Sequence, residues 1–198
     1  DVGEDYVLAL LSDSSDAESP VENVSDRKIA EAMLETFLNA QGRIVVACVA
    51  SNILRIQQVI NAAYESGRKI FLTGSELEEI VNIALSLNKL TVPDKELIIS
   101  FNQMKKLPDN ELVILETGNA GEPIKALQKM ALGRHRQVNL HEGDLVYIAT
   151  TPSVAMETQI ARTKDLIYRA DAEVFEMANS KKASGHATPN DLKLMINL

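Results

Sequence analysis

Apolar residues fall along this chain in two alternating patterns, short continuous runs and longer stretches spaced by three and four. Tyr6-Val7-Leu8-Ala9-Leu10-Leu11 is a run of the first kind, closed by the polar Ser12-Asp13-Ser14-Ser15-Asp16. It predicts a buried strand that hands the chain to a loop at its end. Ala17 to Val24, with Glu18, Pro20, Glu22 and Asn23, reads as a linker. Ser25-Asp26-Arg27-Lys28 then starts a helix with Ile29, Met33, Leu34, Phe37 and Leu38 on one face and Gly42 at its end.

From Arg43 onward strand, loop and helix follow one another repeatedly. Ile44 to Val49 is wholly apolar, and Ala50-Ser51-Asn52 caps a helix carrying Ile53, Ile56, Val59, Ile60 and Ala63 as far as Gly67. Lys69 to Leu72 is the next strand, and Thr73-Gly74-Ser75 leads into a helix with Leu77, Ile80, Val81, Ala84 and Leu87. Pro93, Asn102 and Pro108-Asp109 punctuate a connecting region before a third strand, Leu112 to Leu115. Thr117 to Pro123 turns into a helix with Ile124, Leu127 and Met130, closed by Gly133. His141 to Asp144 is a turn before the strand Leu145 to Ala149. Thr150-Thr151-Pro152-Ser153 caps a helix reaching about Arg169, and Ala172 to Phe175 is the last strand. Near the end Thr188-Pro189 opens a helix through Leu192, Met195 and Ile196, with Thr at the N-cap and Pro at the first helical position.

Wholly apolar strands alternating with amphipathic helices imply an α/β fold, a mostly parallel sheet with helices on both faces. The loops holding Ser51, Ser75, Gly118, Gly121 and Ser153 each follow a strand and precede a helix, so they collect on one edge of the sheet. Open α/β sheets bind their ligands at that edge. Beyond this alternation there is no internal repeat.

Composition narrows the partners. A net charge of −8 rules out a phosphate-binding surface spread over the whole molecule, and four Phe, four Tyr and no Trp leave little for base stacking. Any nucleic-acid contact must be local. At 198 residues and 45% hydrophobic the chain suits one well-buried soluble domain with short flanking pieces. The single Cys48 lies inside an apolar strand and reads as a buried, inert thiol, consistent with a cytosolic protein. No stretch is long and apolar enough for a membrane span, and there is no basic-then-apolar leader. The start at Asp1 and the stop inside a helical pattern at Leu198 suggest a piece of a longer protein.

Most candidate chemistry has an ordinary structural reading beside it. Thr117 to Pro123 contains GxxG followed by Glu-Pro, not a P-loop, and serves equally as a glycine-rich helix entry. Ser51-Asn52 reads first as a cap, and Asp13 as a lone carboxylate. Arg134-His135-Arg136, the pair Arg162 and Arg169, and His141 fit solvated faces and turns. Lys181-Lys182 stand apart, since they adjoin the turn Ala183-Ser184-Gly185-His186-Ala187-Thr188 that delivers His186 to an anion-favouring helix start. The chain has no HxH, HxxxH or CxxC pairing from which to build a zinc site, and no GxGxxG dinucleotide fingerprint.

Taken together, several of these segments resemble the bacterial ribonuclease J family. They are Leu10-Leu11-Ser12-Asp13-Ser14, Ala50-Ser51-Asn52-Ile53 with Arg55 to Ile60, Thr117-Gly118 with Gly121-Glu122-Pro123, and Ser184-Gly185-His186-Ala187 followed by Leu192 to Met195. They span the chain in the family's order. The family belongs to the metallo-β-lactamase superfamily and carries an inserted β-CASP domain. The resemblance implies that residues 1–17 are an edge of the lactamase-like domain, 18–183 the β-CASP domain, and 184–198 a return segment. Carried over by position, Asp13 matches the acidic residue of motif A and His186 the histidine of motif B, the implied catalytic pair. Ser51, Asn52, Gly118, Gly121, Ser153, Ser184, Gly185, Ala187 and Thr188 would meet RNA and its phosphates.

Two zinc ions are implied for the whole protein, with manganese or magnesium as alternatives and with ligands outside this chain. The implied activity is hydrolytic cleavage of RNA from the 5′ end and internally, in mRNA decay and rRNA maturation in the cytoplasm. The implied partners are RNA and a paralogous subunit or a second copy, with no membrane. The fragment by itself would be inactive. Leu54 stands where a His often follows Ser-Asn-Ile, Asn179 to Lys182 replace the usual Val-His, and Thr150 to Glu157 look like the second paralogue of Gram-positive bacteria. The alternative is accordingly a weakly active or non-catalytic partner subunit of an RNA-degradation complex.

Overall fold

Isoleucine, valine and leucine in unbroken runs cannot face water on either side, and among the described residues the runs at 44–49 and 112–115 are strands covered on both faces. A computed structural model of the chain describes residues 26–74, 89–119, 121–149, 154–175 and 189–196, together with Ser12 and Ile83. Its elements are α1 (Asp26–Asn39), β1 (Ile44–Val49), α2 (Ile53–Glu65), β2 (Lys69–Thr73), β3 (Ile98–Ile99), α3 (Phe101–Met104), β4 (Leu112–Gly118), α4 (Glu122–Ala131), β5 (Leu145–Ala149), α5 (Val154–Arg169), β6 (Glu173–Phe175) and α6 (Pro189–Ile196). The strands form one sheet in the order β3-β2-β4-β1-β5-β6, with every pairing parallel. The α/β class expected from the hydropathy pattern is the one observed. Arg27–Met177 makes up one compact unit, and Asp1–Asp26 groups with Ala178–Leu198 in another.

Side chains alternate across the sheet. On one face Val45, Ala47, Phe71, Leu112, Ile114 and Val146 form a cluster with Leu127 and Met130 of α4 and Ile167 of α5. The alternate positions Ile44, Val46, Cys48, Ile70, Val113 and Leu115 are buried on the opposite face. Along α2, which lies against β1 and β2, the residues Ile56, Val59, Ile60 and Ala63 are buried. Full burial of such a side chain stabilises by roughly 1.5–3 kcal/mol, so this two-sided core carries the fold.

Polar clamps secure the end of the sheet where the strands begin. The guanidinium of Arg68, 3% exposed, donates to the carbonyls of Phe37 (2.9 Å), Gly42 (2.9 Å), Leu112 (3.4 Å) and Ala40. It thereby caps the carboxyl end of α1, where a cation is favoured, and ties it to β4. Arg43 grips the wholly buried Asp144 with two bonds, Nε to Oδ1 at 2.8 Å and Nη2 to Oδ2 at 2.6 Å. The backbone N–H of His141 adds a third bond to that carboxylate at 3.0 Å. The His141 ring lies 3.7 Å from Asp144 and 3.6 Å from Asp109.

Three expectations need correction. Leu38 is 59% exposed, because the buried stripe of α1 is narrow, Ile29, Met33 and Phe37 at successive fourth positions. The connecting region before β4 contains β3 and α3, the latter opened by a capping box in which Ser100 accepts from the Gln103 N–H and Gln103 accepts from the Ser100 N–H. Thr117 and Gly118 are not part of the turn but finish β4, in register with Cys48 and Val49. The strand expected over 6–11, the linker over 17–24 and the turn over 183–188 lie outside the described residues. So does the helix expected after Ser75, of which Ile83 alone is described, as helical.

Candidate functional site

β1 and β4 are neighbours whose connections leave in opposite directions. β1 passes through α2 to β2 on one side, whereas β4 passes through α4 to β5 on the other. Right-handed crossovers therefore put α2 and α4 on opposite faces and open a crevice beyond the carboxyl ends of β1 and β4. The loops bordering it are Ala50–Asn52 and Asn119–Gly121, and the Ala50 N–H donates to the Gly118 carbonyl at 3.0 Å. The structure thus brings together Ser51, Asn52, Gly118 and Gly121 among the expected contact residues. Asp13, Ser153, Ser184, Gly185, His186, Ala187 and Thr188 lie outside the described residues, as do Ser75, Lys181 and Lys182.

Each of the four has a local structural role. Ser51 is exposed. Asn52 is the N-cap of α2, its side-chain oxygen accepting from the Arg55 N–H at 3.1 Å, a bond that stabilises by about 1 kcal/mol. Gly121 sits at φ +85°, a left-handed conformation that a side chain would strain, and opens α4 ahead of Pro123. At Gly118 a Cβ would lie 2.6 Å from the Glu122 carboxylate, which turns back to accept from the Asn119 N–H at 2.8 Å. The close approach at Gly118 is therefore filled by the chain's own acid.

Beneath the crevice are polar groups that sequence reasoning passed over. On the α2 face Arg55 is 7% exposed and donates to Gln58 Oε1 at 2.5 Å. Its charge acts on Cys48 and Tyr147, favouring their ionised forms. Burial outweighs it at both, pushing the Cys48 thiol up to about 12 and raising the Tyr147 phenol. Cys48 is buried, as expected from its place in an apolar strand. Thr117 is in register with Cys48, and its fully buried hydroxyl has no hydrogen-bond partner among the described residues. On the opposite face Glu116 is 3% exposed, with Oε2 unpartnered among the described residues. Burial pushes its carboxyl up to about 7, opposed by the Thr73 hydroxyl and Lys129 and reinforced by Glu122. The signal for Glu116 was available, a lone acid at the end of the apolar run Leu112 to Leu115. Arg55 was marked less plainly, falling three residues before Gln58 on the buried side of α2.

Among the described residues no group of three or more His, Cys, Asp or Glu side chains stands together as metal ligands. The described residues thus supply no set of ligands for the zinc that the resemblance implies for the whole protein. No helix among them is long and apolar enough to cross a membrane.

Residues 41–167 match the family described as Ribonuclease J, beta-CASP domain. Over 198 residues the chain is 49% identical to a Streptococcus pyogenes protein named Ribonuclease J 2, covering all of this chain and 36% of that protein. It is 43% identical over 197 residues to Ribonuclease J2 of Bacillus subtilis, and 40% identical over 200 residues to Ribonuclease J 2 of Staphylococcus aureus. Each alignment covers all of this chain and 35% of the relative. The chain spans about a third of the length of these curated relatives.

Proposed function

Because the chain belongs to the ribonuclease J family and carries its β-CASP domain, we propose that it forms the RNA-binding part of a metal-dependent ribonuclease. The whole protein hydrolyses phosphodiester bonds from the 5′ end and internally, in mRNA decay and rRNA maturation in the cytoplasm. It works with zinc, as a homodimer or beside a paralogous subunit. The observation that carries the reading is the crevice between β1 and β4. Two loops, tied by the bond from Ala50 N–H to Gly118 O, border a gap, and Arg55 beneath it has no acidic partner among the described residues. A buried cation without a carboxylate is costly unless an anion answers it, and a phosphodiester supplies that charge. Asp13 and His186 are assigned to the scissile phosphate. Ser51, Asn52, Gly118, Gly121, Ser153 and the Ser184 to Thr188 turn are assigned to the RNA backbone.

The test uses the full-length protein with zinc or manganese and 5′-monophosphorylated RNA, comparing wild type with Asp13→Ala and His186→Ala. Loss of cleavage in both, with folding and metal content unchanged, is the expected result. Cleavage that survives both substitutions would overturn the residue assignment. An inactive, metal-loaded wild type that still binds RNA would make the protein a non-catalytic partner subunit instead.

A further inference from the structure

The loop that leaves α4 combines rigidity with unneutralised charge. Arg134 and Arg136 are exposed, and neither forms an ion pair or side-chain hydrogen bond with any described residue. In a chain of net charge −8 such a pair is locally basic against an acidic background. The backbone around them is held at Arg134, His135, Gln137 and Val138. The Arg134 N–H donates to the Lys129 carbonyl at 2.8 Å, and the His135 N–H to Asn139 Oδ1 at 3.1 Å. His135 Nδ1 accepts from the N–H groups of Gln137 (3.3 Å) and Val138 (3.1 Å). Burial, then Lys129, lowers the pKa of the ring, which favours the neutral form that this acceptor role requires. Val138, 2% exposed, anchors the loop in the cluster with Phe71, Ile99 and Met104.

The loop reaches toward both ends of the sheet, for the Asn139 carbonyl accepts from Arg43 Nη2 at 2.8 Å where β1 begins, while Gln137 extends toward the edge that bears the crevice. The Thr73 hydroxyl at the end of β2 donates to Gln137 Oε1 at 3.1 Å, and Thr73 is in register with Glu116, two residues before the end of β4. Lys129, exposed on α4, acts electrostatically on both Glu116 and His135, and its carbonyl accepts the Arg134 N–H that begins the loop.

We infer that Lys129, Arg134 and Arg136 form a phosphate track that guides single-stranded RNA to the β1–β4 crevice. The inference rests on the RNA-binding reading and extends it to a surface outside the crevice. Guanidinium forks match phosphate oxygens, and a scaffold fixed before binding loses little entropy on engaging them. With no Phe, Tyr or Trp between Lys129 and Arg136, and the His135 ring tied to the Gln137 and Val138 N–H groups, the track recognises charge and not base, so binding there is independent of sequence.

The experiment measures binding of the full-length protein to a 5′-monophosphorylated RNA of about ten nucleotides, by fluorescence anisotropy over a salt series. Wild type is compared with the double variant Arg134→Gln and Arg136→Gln, and with a control, Arg162→Gln and Arg169→Gln, that removes equal charge from exposed positions on α5. Loss of two phosphate contacts should flatten the slope of log K against log salt by about 1.4 and weaken binding at low salt on the order of tenfold. The control should leave the slope unchanged. A 5′-monophosphorylated dinucleotide, confined to the crevice, should bind the track variant as it binds wild type. Wild-type slope in the track variant, or equal loss in the control, would overturn the track while leaving the crevice intact. A wild-type protein that binds neither RNA would overturn the function reading and the track with it.

Discussion

Replacing Glu116 by Gln should make the domain more stable at alkaline pH, because it exchanges a buried acid for a neutral amide of nearly the same shape. Burial raises this carboxyl from 4.5 to about 7. The folded state therefore holds its proton more tightly than the unfolded chain does. Below about pH 4.5 both states are protonated and the site costs nothing. As pH rises from 4.5 to 7 the unfolded chain ionises first, so stability falls, and above about 7 the full penalty is present. At 1.36 kcal/mol per unit the penalty is about 3 kcal/mol. The neutral amide of Glu116→Gln carries no such penalty, so at about pH 8 the variant should exceed wild type by up to about 3 kcal/mol, or roughly 6–12 °C in Tm. At about pH 4.5 the two should agree to within the cost of repositioning one amide, about 1 kcal/mol.

Urea denaturation of both proteins at several pH values isolates the effect, because the acids other than Glu122, which interacts with Glu116, titrate equally in the two. A stability difference that stays constant between about pH 4.5 and 8 would refute the reasoning. It would mean that Glu116 is ionised in the folded state, with a cationic partner for Oε2.

Two further outcomes follow from the same accounting of buried polar atoms. Arg68→Met should destabilise by about 3–5 kcal/mol, because the carbonyls of Phe37, Ala40, Gly42 and Leu112 lose their donor; a loss under about 1 kcal/mol in equilibrium denaturation would show that water replaces it. Cys48, pushed up to about 12 and wholly buried, should resist a thiol reagent in the native protein at neutral pH and react on unfolding, and native-state labelling at the rate of a free thiol would show that β1 is accessible.

The sheet was legible because its strands carry their own signal. Ile44–Val49 and Leu145–Ala149 have the same limits in the structure as in the hydropathy pattern, since a strand covered on both faces admits little but apolar residues. β3 was not legible, because two residues make no pattern and α3 after it has only four. Its place next to β2 depends on register with Ile70 and Phe71, a contact far off in sequence. The crevice was half legible. Ser51, Asn52, Gly118 and Gly121 were found from loops that follow strands, whereas Arg55 and Glu116 escaped because a charged residue in an apolar pattern looks like an interruption. Burial changes that meaning, and burial is a tertiary property.

The arginines near the strand ends show how one residue type is divided between holding the fold and meeting a ligand. Arg43 and Arg68 precede β1 and β2, and both are engaged in the fold, one by the Asp144 carboxylate and the Asn139 carbonyl and the other by main-chain carbonyls. At the opposite end Arg55 lies in the first turn of α2, and Arg136 adjoins the Gln137 that reaches the last residue of β2. Neither has an acidic partner among the described residues. A chain with eight more acids than bases could neutralise these two as readily as it neutralised Arg43. Unspent positive charge at the carboxyl edge of a parallel sheet, in an otherwise acidic domain, gives a polyanion one face to approach and repels it from the rest.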